Sequence, residues 1–215
     1  MIVDLKQKLL EDARRCLECG EFEAGVQALE RVIRIARDDR PMVRNVHVTL
    51  GTHFLEEGDP RAVAHFLAAL DVDPSDDRVR YCLGHAYLEA DRAGDAVLQF
   101  ALALEERPED AEYLRCLGVA LAEDGRMPEA VTRLRAAARV KPDDALAHKD
   151  LAQVLSICNL FDEAEVHARE AVRLCPDEPS FQEVLEDIEQ LSEAVRMAER
   201  ARKGAKRAAR RPRKS

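Results

Sequence analysis

The chain has 215 residues, 47% of them apolar and 35% charged, with a formal charge of −9. No apolar run approaches the roughly 18 residues that span a bilayer. The opening Met1-Ile2-Val3-Asp4-Leu5-Lys6 has neither the basic nor the apolar region of a secretory leader, so a cytoplasmic protein is expected. Aromatic residues make up 4% and tryptophan is absent, which suits close helix packing on Ala and Leu rather than a ligand cavity walled by rings.

Pro74, Pro108, Pro142 and Pro176 recur every 34 residues, a period that marks stacked helical hairpins. The first unit, near residues 3–40, is degenerate: Leu9, Ala13, Cys16, Gly20, Phe22, Gly25, Leu29 and Val32 carry it, and Asp38-Asp39-Arg40-Pro41 breaks it off. The second, near 41–76, reads Leu50-Gly51, Phe54, Gly58, Ala62, Phe66, Ala69 and Pro74, with one residue missing between Gly51 and Ala62. The third, near 77–110, reads Leu83-Gly84, Tyr87, Ala96, Phe100, Ala103 and Pro108. Leu117-Gly118, Leu121, Ala130, Leu134, Ala137 and Pro142 make the fourth, near 111–144. Leu151-Ala152, Leu155, Ala164, Ala168, Ala171 and Pro176 make the fifth, near 145–178.

In each unit the first helix carries the Leu-Gly or Leu-Ala pair, and small residues such as Gly84 and Ala96 let the two axes approach. A larger side chain there overpacks the contact at a cost of roughly 1–3 kcal/mol. Between the helices, Gly125 and Asn159 can take the left-handed conformation that ends a helix. Acidic residues follow each proline, so the prolines are read as closing one unit and opening the next. After Pro176 the ruler asks for small and aromatic residues at 186 and 189 but finds Glu186 and Glu189. Phe181, Val184, Leu185, Ile188, Leu191 and Val195 still form one apolar stripe, as expected of a capping helix over 177–200. Met197 and Ala198 prolong that stripe, which leaves a homodimer open.

The repeated pattern resembles the tetratricopeptide repeat family, over about 170 residues of residues 1–176. The resemblance implies an all-α, right-handed solenoid of about five hairpins whose first helices line a concave groove. It also implies a non-enzymatic adaptor that binds a peptide segment of a partner protein in that groove. By family register the groove residues are Asn45, Val48, Thr52, Arg78, Tyr81, His85, Arg115, Val119, Lys149 and Gln153. Tyr81 and His85 lie four apart on one helical face, and the row of Arg78, Arg115 and Lys149 suits an acidic or C-terminal carboxylate; an ordinary solvated helix face is the competing reading. In the chaperone-binding subfamily, three clamp positions hold other residues than Tyr81, Cys82 and Cys116, so that partner is not carried over.

The net charge hides a division. Residues 196–215 hold ten basic side chains against Glu199 alone, a net +9, which leaves −18 for the rest. Such a segment from 201 onward is expected to be disordered, or to extend the cap and fray near Gly204. Three readings compete for Arg202, Lys203, Lys206, Arg207, Arg210, Arg211, Arg213 and Lys214. They are a solubilising end, an attachment to nucleic acid or another polyanion, or a strap on the acidic body. The polyanion reading makes the repeats the recruiter of a partner, and it predicts steep salt dependence.

Chemistry-bearing motifs are few. Cys16-x-x-Cys19 has no second pair to complete a zinc site, and Cys16 is read as core. All six cysteines are read as unpaired thiols of a reducing compartment. The six histidines form no HExxH, and His65 and His167, at equivalent positions, are read as marking an outer face. No GxxxxGK[ST], GxSxG or GxGxxG occurs. No catalytic residue, metal or cofactor is expected.

Overall fold

The computed structural model describes residues 2–209. Among them are eleven α-helices and no strand: α1 (Ile2–Glu18), α2 (Phe22–Ile35), α3 (Arg40–Glu56), α4 (Arg61–Leu70), α5 (Asp77–Glu89), α6 (Ala93–Glu106), α7 (Ala111–Glu123), α8 (Met127–Val140), α9 (Ala145–Ile157), α10 (Phe161–Leu174) and α11 (Pro179–Ala209). They pair as five hairpins followed by one long helix. The chain divides into two compact units, Met1–Glu109 and Asp110–Ser215. In the first, α1–α2, α3–α4 and α5–α6 pack as hairpins, with α2 on α3 and α4 on α5. In the second, α7–α8 and α9–α10 do the same, α8 packs on α9, and α11 lies on α10 and, less extensively, on α9.

Every hairpin turns by one device. The first helix ends at a residue with positive φ: Gly20, Gly58, Asp91, Gly125 or Asn159. The N–H of the next residue then reaches back to the last full turn, as Arg92 N–H does to the Tyr87 carbonyl (2.8 Å) and Leu160 N–H to that of Leu155 (2.9 Å). This pattern satisfies carbonyls that the helix end would otherwise strand. α2, α6, α8 and α10 start straight from this turn with no side-chain cap, whereas at the start of α4 Asp59 Oδ1 accepts the Arg61 N–H at 2.8 Å.

First helices start differently. Asp39, Asp76, Asp110 and Asp144 cap α3, α5, α7 and α9 by accepting backbone N–H bonds, such as Val79 N–H to Asp76 Oδ1 at 3.0 Å. Each cap is worth about 1 kcal/mol. Pro74, Pro108 and Pro142 lie in the turn two residues before the cap and not in the helix. The aspartate opens the unit, and the proline only stops the helix before it.

In the second, third and fourth hairpins one knob on the second helix is set into a gap on the first, whereas in the first hairpin the gap is Gly25 of α2 and Leu17 of α1 fills it. A Cβ at Gly51 would stand 2.7 Å from Phe66 Cε1, one at Gly84 2.6 Å from Phe100 Cε1, and one at Gly118 2.6 Å from Leu134 Cγ. The fifth hairpin faces Ala152 with Ala168, both buried.

On α11, Phe181, Ile188 and Ser192 are buried, whereas Leu191 and Val195 stand exposed. The contact face therefore turns through Ser192, and the apolar stripe drawn through Leu191 and Val195 is displaced from it. The helix also continues to Ala209, past the end at 200 drawn from the sequence. Ala, Lys and Arg after residue 200 are good helix formers, and Gly204 alone costs only about 1 kcal/mol.

Candidate functional site

In the first unit, α1 and α3 share almost no direct packing, while α3 and α5 do touch. The space between α1, α2 and α3 is a cleft of about 610 Å³. Leu10, Leu17, Leu29, Met42 and Val46 supply its apolar surface, and Arg14, Glu18, Asp39, Asn45 and Thr49 its polar margin. Asp39 is partly engaged by Lys6 at 3.8 Å. Asn45 thus lies at a concave feature, as does Thr49 one helical turn later. Thr52 is exposed on α3, its hydroxyl returned to the Val48 carbonyl at 3.0 Å.

Farther along the same unit, Tyr81 and His85 form one aromatic cluster. Their rings meet edge to face at 4.6 Å, and both lean on Phe100, at 5.9 and 5.2 Å between centroids. The two are half-buried, and Arg78 beside them is exposed. Their first duty is therefore to cover the Phe100 knob.

The second unit treats its cations differently. Arg115 donates to Asp150 at 2.8 Å and to Glu112 at 2.6 Å, and Lys149 lies 3.1 Å from the same Asp150. Burial opposes the charge on Arg115, but the Glu112 hydrogen bond, the neighbouring Cys116 and the Asp150 bond outweigh it and hold the guanidinium above its ordinary value. Asp150 is buried, and a buried carboxylate survives only when paired. Arg115 and Lys149 thus solvate an internal charge, and an incoming carboxylate would compete with Asp150 for both. Val119 is half-buried and Gln153 exposed.

Two histidines read as outer-face residues are not. His65 Nδ1 lies 3.0 Å from His47 Nδ1, and His167 Nδ1 lies 2.9 Å from His148 Nδ1. Each pair ties the two helices of its own hairpin. The signal was present in the sequence: His47 and His148 share a repeat position just as His65 and His167 do. Cys16 is half-buried, Cys19 exposed and Cys116 fully buried, all as thiols. Among the described residues no group of three or more His, Cys, Asp or Glu side chains is placed to hold a metal ion. No helix among them is long and apolar enough to cross a membrane.

At the basic end, Arg196 binds Asp162 at 2.6 Å and Glu165 at 3.5 Å, and so belongs to the packing of α11 on α10. Arg202 and Lys203 are exposed, with Lys203 3.8 Å from Glu199. Lys206 and Arg207 lie on the last turns of α11. Arg210, Arg211, Arg213 and Lys214 fall outside the described residues.

The sequence profile of the tetratricopeptide repeat matches residues 48–111, 83–133 and 117–179, overlapping windows that cover more than half the chain. The chain belongs to the tetratricopeptide repeat family. Its solved neighbours are consistent in fold. A tetratricopeptide repeat protein from Parabacteroides merdae aligns with a TM-score of 0.80 at 19% identity, over 91% of this chain and 77% of that one. MamA from Desulfovibrio magneticus aligns at 0.71 and 21% identity, over 80% and 95%. YrrB, described as a tetratricopeptide repeat protein with an unusual peptide-binding site, aligns at 0.64 and 19% identity, over 83% and 90%. No curated protein matches the sequence. As a tetratricopeptide repeat protein, the chain is a protein–protein interaction scaffold.

Proposed function

We propose that this tetratricopeptide repeat protein binds a partner through a peptide segment, anchored by an apolar side chain in the cleft between α1, α2 and α3. The observation that carries this reading is the cleft itself, about 610 Å³ in volume, apolar in its interior and polar at its margin. Binding sites of this kind take most of their energy from apolar burial, and a few polar groups fix orientation. A hydrophobic anchor buried there would contribute about 1.5–3 kcal/mol. The cleft lies on elements already packed, so the protein side loses little freedom on binding. An acidic peptide held by Arg115 and Lys149 is disfavoured by their prior commitment to Asp150. The reading is one of recognition without catalysis.

A photo-crosslinking residue placed at Thr49, in the full chain and in its native lysate, tests the proposal. The expected result is a discrete protein adduct at Thr49 that is absent when the same residue replaces Thr132 on α8. Equal adducts at both positions, or none at Thr49, would count against the cleft as the working surface.

A further inference from the structure

His148 is buried on α9, with its Nε2 3.0 Å from the Pro142 carbonyl oxygen. A carbonyl only accepts, so Nε2 must carry the proton and donate it. In the neutral ring Nδ1 is then a bare acceptor, and His167 Nδ1, 2.9 Å away, must be the N–H that donates to it. The hydrogen-bond chain runs one way: His167 Nδ1–H to His148 Nδ1, then His148 Nε2–H to Pro142. One further proton can enter at His167 Nε2 without disturbing it. A second has no place except His148 Nδ1, the acceptor of the bond, and would put two cations about 3 Å apart.

The same locus recurs along the chain. His47 and His65 face each other at 3.0 Å in the second hairpin, and Arg80 donates to Gln99 at 3.4 Å in the third. In the fourth hairpin the positions are Leu114 and Arg133, which cannot form such a bond. The position is thus a cross-hairpin tie in the second, third and fifth hairpins, and in the second and fifth the tie is a pair of imidazoles.

The surroundings do not provide for a second charge. Near His167, Glu163 is taken by Arg135 of α8 and Glu170 by Arg173 of its own helix, each at 2.6 Å. From α11, Glu189 is bound to Arg169, and Arg196 to Asp162 and Glu165. On the α7 side, Arg115 is held by Asp150. Near His65, Arg61 adds a positive charge and is held by Asp59, with Glu23 and Glu30 of α2 acting on that same arginine. Arg44 of α3 pairs with Asp76, and Arg80 of α5 is bonded to the Pro74 carbonyl and Gln99.

We propose that the second and fifth hairpins are acid-labile ties, in which each histidine pair holds at most one added proton and parts when the second arrives, while the third and fourth hairpins stay closed. Burial first, and then the facing imidazole, push His65 and His167 below the ordinary histidine range, and burial does the same to His47. The sign follows: with folded values below the ordinary value of about 6.5, the ties are at full strength above that pH and weaken as pH falls through it. Each proton taken up on opening raises the local opening constant by about tenfold per pH unit. Because α11 packs on α10, the cap would loosen with the fifth hairpin.

Amide hydrogen exchange of the full chain, corrected for intrinsic rates and compared at pH 7.5 and 5.5, reads the effect hairpin by hairpin. The expected result is a rise in opening of about tenfold or more in α3–α4 and α9–α10 beyond any rise in α5–α8. His65→Gln and His167→Gln keep a donor and an acceptor but do not titrate, as Gln99 shows at the same position. Each should abolish the extra rise in its own hairpin and leave the other unchanged. A uniform rise over all hairpins, or a rise indifferent to both variants, would overturn the proposal. Nitrogen–proton correlation of the imidazoles in the unsubstituted chain at pH 7.5 gives an independent reading. His148 protonated at Nδ1 would contradict the tie whatever the variants do.

Discussion

The third and fifth hairpins solve one packing problem in opposite ways. In the third, α5 gives up its side chain at Gly84 and α6 fills the gap with Phe100, which is fully buried. In the fifth, the same two positions are Ala152 and Ala168, and the volume is spread evenly. These two positions therefore accept either a ring set into a glycine gap or two small side chains, and a large residue on both sides is what they exclude. The aromatic version also recruits Tyr81 and His85 as a lid over the knob, whereas the fifth hairpin relies on the polar tie between His148 and His167. The difference predicts where the molecule tolerates substitution and where it responds to acid.

Removing the knob has the largest expected effect. Phe100→Ala should cost about 3–5 kcal/mol, seen as a shift of the urea midpoint together with exposure of Tyr81 and His85. Ala168→Gly at the equivalent place should cost no more than about 1 kcal/mol. Filling the gap comes next: Gly84→Ala should cost about 1–3 kcal/mol by overpacking against the ring. A double-mutant cycle with Phe100→Ala should recover part of that loss, because the two sites touch. Equal costs for Gly84→Ala in the presence and absence of the ring would break the comparison. The smallest change is a gain. Asp91 sits at φ 55°, a conformation that costs a non-glycine residue roughly 1–2 kcal/mol. Asp91→Gly should raise stability by up to about 1 kcal/mol in the same titration, the entropy of glycine offsetting part of the relief.

How much of this was legible in the sequence depends on how local the signal was. The hairpins were, because Leu83-Gly84, Ala96, Phe100 and their equivalents encode a contact within about 16 residues. The turns were nearly so: Gly125 and Asn159 announced the left-handed residue, and Asp91 fills the same role without being singled out. Partners a full repeat away were not. Arg115 looked like a free groove cation because its neutralising Asp150 lies 35 positions on. The clue was an aspartate at a register where the two preceding units carry Cys82 and Cys116. Taken by their own period alone, His65 and His167 read as surface residues, and only both periods together place them opposite His47 and His148. On α11 a hydroxyl interrupts the apolar count at Ser192, which packs with Phe181 and Ile188 all the same. The cleft between α1 and α3 depends on a degenerate first hairpin that meets its neighbour through α2 and hardly through α1, which no single motif records.

The central claim is that the cleft lined by Leu10, Leu17, Met42 and Val46 receives an apolar anchor of a partner peptide. Selection of a random peptide library on the full chain, followed by affinity measurement on Thr49→Trp and on Gln153→Trp, tests it directly. The account predicts selected peptides that share a large apolar residue, lose at least tenfold in affinity on Thr49→Trp, and bind Gln153→Trp as they bind the unsubstituted chain. Peptides that carry no apolar anchor, or that bind Thr49→Trp unchanged, would contradict it.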